Sequence, residues 1–288
     1  MLTVFQAILM GLLQGFTELF PISSLGHSVI LPHLLGWDID QEAPYYLTFL
    51  VATHVATALV LFLFFCRDWL RILQGLWRSI RTRRIDPRDT YAKFGWLLIV
   101  GTLPAGALGL LLEHKLSLLF ASAQIAAFFL IVNGLILFSA EHLRKRRVGA
   151  RRSQLQSDQH IARLTWRQAL GIGAAQAAAL IPGISRSGSS MAGGLLAGLN
   201  NEDAARFSFM LATPVIGAAA ILKLPHLFDP SVAPVRTAIL AGAVCAAASA
   251  YLSVRFLVRY FETKTLAPFA SYCLLAGTLL SVYFLVRF

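Results

Sequence analysis

The chain has 288 residues, 57% hydrophobic and only 14% charged, with a mean hydropathy of +0.67 and a formal net charge of +11. That is far more apolar than a soluble domain of this length, which excludes an ordinary water-soluble globular protein. The positive charge is concentrated in two clusters, Arg67–Lys93 and Arg144–Arg167, each beside apolar runs. Such placement marks the cytoplasmic side and contact with membrane lipids, anionic ones above all, so no nucleic-acid partner is expected.

A hydrocarbon core takes about 20 helical residues to cross. The first apolar stretch, Leu2–Leu35, is broken near its middle by Pro21 and is expected to be a re-entrant helical hairpin. It has no Lys or Arg ahead of its apolar run and carries Glu18, which argues against a cleaved signal peptide. Spans follow at Tyr45–Cys66, Phe94–Leu112 and Leu118–Ala140. A second broken stretch, Gln168–Leu199, is again expected to be a re-entrant hairpin, and spans follow it at Ala205–Leu222, Thr237–Val258 and Leu266–Val286. Cys66, Cys245 and Cys273 lie in or at the ends of apolar segments without paired spacing, so neither a disulfide nor a cysteine-bound metal is expected.

An internal repeat organises these elements. "FLVATHV" at Phe49–Val55 matches "FMLATPV" at Phe209–Val215, and "QGFTELFPISS" at Gln14–Ser24 runs parallel to "QAAALIPGIS" at Gln176–Ser185. The expected architecture is one all-α polytopic membrane domain of six transmembrane helices and two re-entrant hairpins. Residues 1–140 form the first repeat, 141–167 a basic loop and 168–288 the second repeat. Three spans per half make the second half inverted. Two spans separate the basic clusters, so both fall on the cytoplasmic face, and counting onward puts both termini outside.

Inverted repeats with broken helices place a site near the bilayer midplane, where the tips meet. In the second tip, "IPGISRSGSSMAGG", Arg186 is the only charge between Arg167 and Glu202. A cation at that depth costs at least about 2.5 kcal/mol unless paired or hydrated, so an anionic partner is required. Ser185, Ser187, Ser189 and Ser190 surround it, and Gly183 and Gly188 allow close backbone approach. Arginine, hydroxyls and a helix start after Pro182 together describe an oxyanion site, with phosphate the first oxyanion to consider. In the first tip Gln14 and Glu18 share a helix face, and Ser23, Ser24 and His27 follow the turn. A carboxylate there can hold a divalent cation with phosphate oxygens or serve as a base, and a serine three residues before a histidine offers a nucleophile with a proton carrier.

The segments "QGFTELFPISSLGH" and "PGISRSGSS" resemble the two signature segments of the bacterial undecaprenyl pyrophosphate phosphatase family, and the resemblance covers the whole chain. It implies an integral enzyme of the bacterial cytoplasmic (inner) membrane. Such an enzyme hydrolyses undecaprenyl pyrophosphate to undecaprenyl phosphate and inorganic phosphate, recycles the lipid carrier of peptidoglycan synthesis and confers bacitracin resistance. It further implies a divalent cation, Mg2+ or Ca2+, on Glu18 with Gln14. Ser24 becomes the candidate nucleophile with His27 its proton partner, the attack by His27 or by a positioned water staying open. Ser23, Gly183, Ser185, Arg186, Ser187 and Ser190 bind the phosphates, and Arg186 offsets the charge developing at phosphorus. Gln14 departs from the usual glutamate, Leu25 from threonine and Ser190 from threonine. A homodimer is a further expectation.

The rival reading is a transporter or flippase of a polyprenyl phosphate using the same midplane site. A bland one makes Glu18 and Arg186 a buried ion pair holding the tips together. His54 stands where the second copy has Pro214 and is a minor candidate for the cavity, while Asn133 reads as an interhelical hydrogen bond.

Overall fold

In the computed structural model, residues 2–117, 122–143, 154–223 and 229–287 are described. Arg144–Arg152 of the second basic cluster, Leu118 at the start of the third expected span and His226 lie outside them. The described residues are helical, with no strand among them. In order they form α1 (Val4–Leu19), α2 (Ser24–Leu34), α3 (Pro44–Phe64), α4 (Cys66–Thr82), α5 (Thr90–Ser117), α6 (Ala123–Leu143), α7 (Gln154–Ala162), α8 (Trp166–Ala177), α9 (Arg186–Leu196), α10 (Asn201–Lys223), α11 (Arg236–Tyr260) and α12 (Ala267–Arg287).

The two broken stretches share their local chemistry. α1 starts with Thr3 accepting from the Gln6 amide while the Gln6 side chain accepts from the Thr3 N–H; α8 starts with the same reciprocal pair, Thr165 and Gln168. Each box satisfies two of the N–H groups a helix start leaves open. α1 stops at Leu19 because Phe20 precedes Pro21 and is driven to φ −68°, ψ 140°. The returning helices are capped alike, Ser23 accepting from Gly26 N and Ser185 from Gly188 N. Both broken stretches are therefore helix–turn–helix pairs, with α1 packed on α2 and α8 on α9.

Glycines set the packing. Gly11 of α1 lies against the Gly242 backbone of α11, and Gly173 of α8 against the Gly101 backbone of α5, each too close to admit a Cβ. Small residues that let backbones meet are the usual adhesive between helices in lipid, where apolar burial gives no drive. The first arm of each hairpin thus packs on a span of the other half, so the halves interlock.

Among the described residues five helices are long and apolar enough to cross a membrane: Pro44–Phe64, Thr90–Leu111, Ala123–Leu143, Val232–Tyr260 and Ala267–Arg287. Leu59, Leu63, Phe128, Leu135, Leu275, Leu279 and Leu285 project outward from them. A surface this apolar is built for lipid, and the chain is a polytopic membrane protein. The fourth expected span, Ala205–Leu222, falls on α10, whose first turns carry Glu202, Asp203 and Arg206.

The first basic cluster, Arg67–Lys93, falls largely on helix α4. Asp68, Trp69, Ile72, Gly75 and Ser79 form its buried face, and Leu70, Leu73, Trp77 and Ile80 an exposed apolar stripe. α4 is fixed to α5 by Trp96 Nε1 donating to Ser79 Oγ at 2.9 Å.

α7 is tied down by buried charge. Arg206 of α10 reaches Asp158 of α7 at 3.0 Å and Asp68 of α4 at 3.1 Å, while Asp203 accepts from Ser157 and lies 2.5 Å from His160 Nδ1. Burial holds the Asp158 carboxyl above its usual range, with Arg206 acting against that rise. Arg206→Ala leaves two buried carboxylates without their shared cation and is expected to destabilise the protein by about 3–5 kcal/mol. Thermal unfolding in detergent measures this; an unchanged midpoint would show the network to be dispensable.

Candidate active site

Glu18, in the last turn of α1, and Arg186, the first residue of α9, are 168 positions apart in sequence and meet between the two tips. Arg186 Nε donates to Glu18 Oε1 at 3.1 Å, and Nη2 lies 3.1 Å from the same oxygen. The other oxygen, Oε2, accepts the Ser24 hydroxyl at 2.5 Å and sits 3.1 Å from His54 Nε2. Glu18 is 6% exposed and Ser24 7%. The partly buried cation thus has its anion, and the one carboxylate organises a hydroxyl, an imidazole and a guanidinium.

The second tip wraps Arg186. Ser190 Oγ donates to the Arg186 carbonyl at 2.8 Å and lies 2.6 Å from Ser208 Oγ; Arg186 Nη1 reaches the Ser208 carbonyl at 3.5 Å. Ser187 donates to the Phe20 carbonyl at 3.1 Å, joining the second tip to the first. Ser23 and Ser185 spend their hydroxyls as helix caps. Ser23 does so at φ 69°, a costly conformation for a non-glycine residue, of the kind that persists where surroundings over-determine it. Gly183, at φ +99°, lies against the Ala126 carbonyl and Gly26, so a side chain has no room there.

Asn133 of α6 does more than a pairwise helix contact requires. Its Nδ2 donates to the Pro21 carbonyl at 3.0 Å and its Oδ1 accepts from Ser185 N at 3.0 Å, so one amide fastens both tips.

Two expected residues are placed differently from the central group. His27 has Nδ1 2.6 Å from the Ser23 carbonyl and Nε2 2.8 Å from the Tyr272 hydroxyl, with the two rings stacked. Gln14 accepts from Thr57 through Oε1 at 3.1 Å, and its fully buried amide nitrogen has no partner among the described residues. The histidine on Glu18 is His54 instead. Its signal in the sequence was its place in the repeated "FLVATHV" segment, and Ser208 stands one residue ahead of the second copy, Phe209–Val215.

The described residues contain no group of three His, Cys, Asp or Glu side chains that could hold a metal ion by themselves. One carboxylate and one amide oxygen suit a hard cation only where phosphate oxygens and water complete its shell, the usual situation for Mg2+.

An all-helical, lipid-facing chain with a carboxylate, hydroxyls and an arginine gathered where two broken helices meet is a polytopic membrane protein with an interior polar site. More particularly, the chain belongs to the bacitracin resistance protein BacA family, which matches residues 7–279. It is 43% identical to undecaprenyl-diphosphatase 2 of Frankia alni and 45% identical to the undecaprenyl-diphosphatase of Mycolicibacterium paratuberculosis, each over 99% of both chains. It is 48% identical to the undecaprenyl-diphosphatase of Acidiphilium cryptum over 96% of this chain and 97% of that one.

Proposed function

We propose that the protein is an undecaprenyl-diphosphatase, releasing inorganic phosphate from undecaprenyl diphosphate and returning the monophosphate carrier to cell-wall synthesis. Full-length similarity to enzymes of that name supports the activity. The observation that carries the mechanism is Glu18 held between Arg186 and Ser24.

The substrate diphosphate draws Arg186 away from Glu18, since a multiply charged oxyanion is the stronger partner. Ser24 Oγ, or a water it positions, attacks the terminal phosphorus while its proton passes to Glu18 Oε2. The bond from phosphorus to the bridging oxygen breaks, the electron pair stays on the departing lipid monophosphate, and Arg186 offsets that charge. Where serine has attacked, water then cleaves the phosphoserine and frees phosphate. Ser190, Ser187 and Ser185 shape the second tip around the phosphates, Gly183 lets the backbone close, and Ser23 fixes the start of α2. His27 stands on the Tyr272 side of the first tip. Glu18, with Gln14, would hold a Mg2+ or Ca2+ shared with the diphosphate, where such an ion withdraws charge from the phosphoryl oxygens.

In this reading the two hairpins are re-entrant, α10 spans the membrane as well and brings the spans to six, and the halves 1–140 and 168–288 are inverted repeats around the basic segment 141–167. The arginine-rich segments face the cytoplasm of a bacterial inner membrane and both termini the outer side. A homodimer is part of the same proposal.

Phosphate release from undecaprenyl diphosphate by purified protein with magnesium, beside Glu18→Ala, tests the function. Release by the wild type alone is expected. Labelled lipid crossing a vesicle membrane with no phosphate released would replace the enzyme by a polyprenyl-phosphate transporter.

A further inference from the structure

We propose that His54 is a positioning residue for catalysis, holding the Oε2 atom of Glu18 toward the Ser24 hydroxyl once Arg186 has turned to the substrate. The proposal rests on the diphosphatase reading above. In the structure the two oxygens of Glu18 are divided. Oε1 receives both nitrogens of Arg186, whereas Oε2 receives Ser24 at 2.5 Å and His54 Nε2 at 3.1 Å.

His54 is itself held. Its Nδ1 lies 2.7 Å from the Leu50 carbonyl, one turn earlier in α3, so the ring is pinned by its own helix and aimed at α1. A second rung joins the same two helices a turn away, Thr57 donating to Gln14 at 3.1 Å. His54 and Thr57 are three apart on α3, and Gln14 and Glu18 four apart on α1, so each pair lies on one helix face. Two polar rungs between otherwise apolar helices fix how α1 and α3 meet, and one of them ends on the carboxylate that serves Ser24.

Substrate binding gives this contact its use. When the diphosphate takes Arg186, Oε1 loses both of its partners together. The terminal torsion of glutamate is broad and roughly two-fold, so a carboxylate released on one side turns easily. His54 is anchored on α3, outside both tips, and does not follow Arg186 to the substrate. It keeps Oε2 in place for the proton from Ser24. Misplacement of a reacting group by an ångström is enough to cost about 10²-fold in rate.

The test compares full-length wild type, His54→Ala and His54→Gln in detergent with undecaprenyl diphosphate and magnesium. His54→Ala is expected to lose about 10- to 100-fold in kcat with KM within about 3-fold of wild type. His54→Gln, whose amide N–H can still donate to Oε2, is expected to recover to within about 5-fold. Wild-type kcat in His54→Ala, a loss carried only by KM, or no recovery in His54→Gln would each overturn the assignment. A double-mutant cycle of thermal midpoints on His54→Ala and Glu18→Gln reads the contact without any turnover. Non-additivity is expected, and additive effects overturn the proposal. If the wild type releases no phosphate, the diphosphatase reading falls, and the cycle alone decides whether His54 holds Glu18.

Discussion

Arg186→Ala is expected to lower phosphate release by about 10³-fold or more, the scale of losing an arginine that stabilises a transferring phosphoryl group. The guanidinium is the one cation in contact with Glu18 that belongs to the second tip, and Ser190 and Ser208 hold its surroundings rather than replace it. Arg186→Lys keeps a charge but loses the two-nitrogen fork, so it is expected to recover only part of the rate. Glu18→Ala is expected to be similarly inactive, but it strands a buried cation and weakens the fold. Glu18→Gln, which keeps the shape, is the cleaner comparison. Phosphate release and thermal unfolding measured on the same samples separate chemistry from folding. Near-normal turnover in folded Arg186→Ala would remove the tips from the mechanism and leave Glu18 and Arg186 as a structural ion pair.

Removing divalent cations with a chelator is expected to stop turnover, and magnesium or calcium to restore it. The geometry adds a sharper expectation. Glu18 is already engaged by Arg186, Ser24 and His54, and Gln14 Oε1 by Thr57. A cation therefore finds few open oxygens until the diphosphate supplies its own. Tight metal binding is expected only with a diphosphate present, which calorimetry with and without inorganic pyrophosphate would show. Full activity in excess chelator would take the metal out of the reaction.

Much of this was legible in the sequence because it depends on short-range pattern. Pro21 and Pro182 break their helices wherever they fold, and a lone arginine in an apolar stretch demands an anion, which Glu18, just before the break of the other tip, was placed to supply. What could not be read was side-chain direction across the fold. His27 is three residues from Ser24, yet its ring turns to Tyr272 on α12; His54 is far more distant in sequence and arrives on Glu18 because α3 packs beside α1. Sequence spacing encodes neighbours along one helix and is silent about which helix lies alongside. The α4 helix was obscured for a different reason. Its arginines fit a loop as well as they fit the polar side of a helix, and only the alternation of Ile72, Gly75 and Ser79 with exposed Leu70, Leu73 and Trp77 distinguishes the two.

The crossed glycine contacts bear on what can be cut. A break between α6 and α7 would leave one fragment with the Gly11 groove of α1 stripped of α11, and with the Gly101 surface of α5 stripped of α8. The other fragment would bear the two complementary scars, with Arg186 on one piece and Glu18 on the other. Neither piece is a smaller enzyme. Each is a lock for which the other is the key, and activity would return only when both are made together and close on one another in the same membrane.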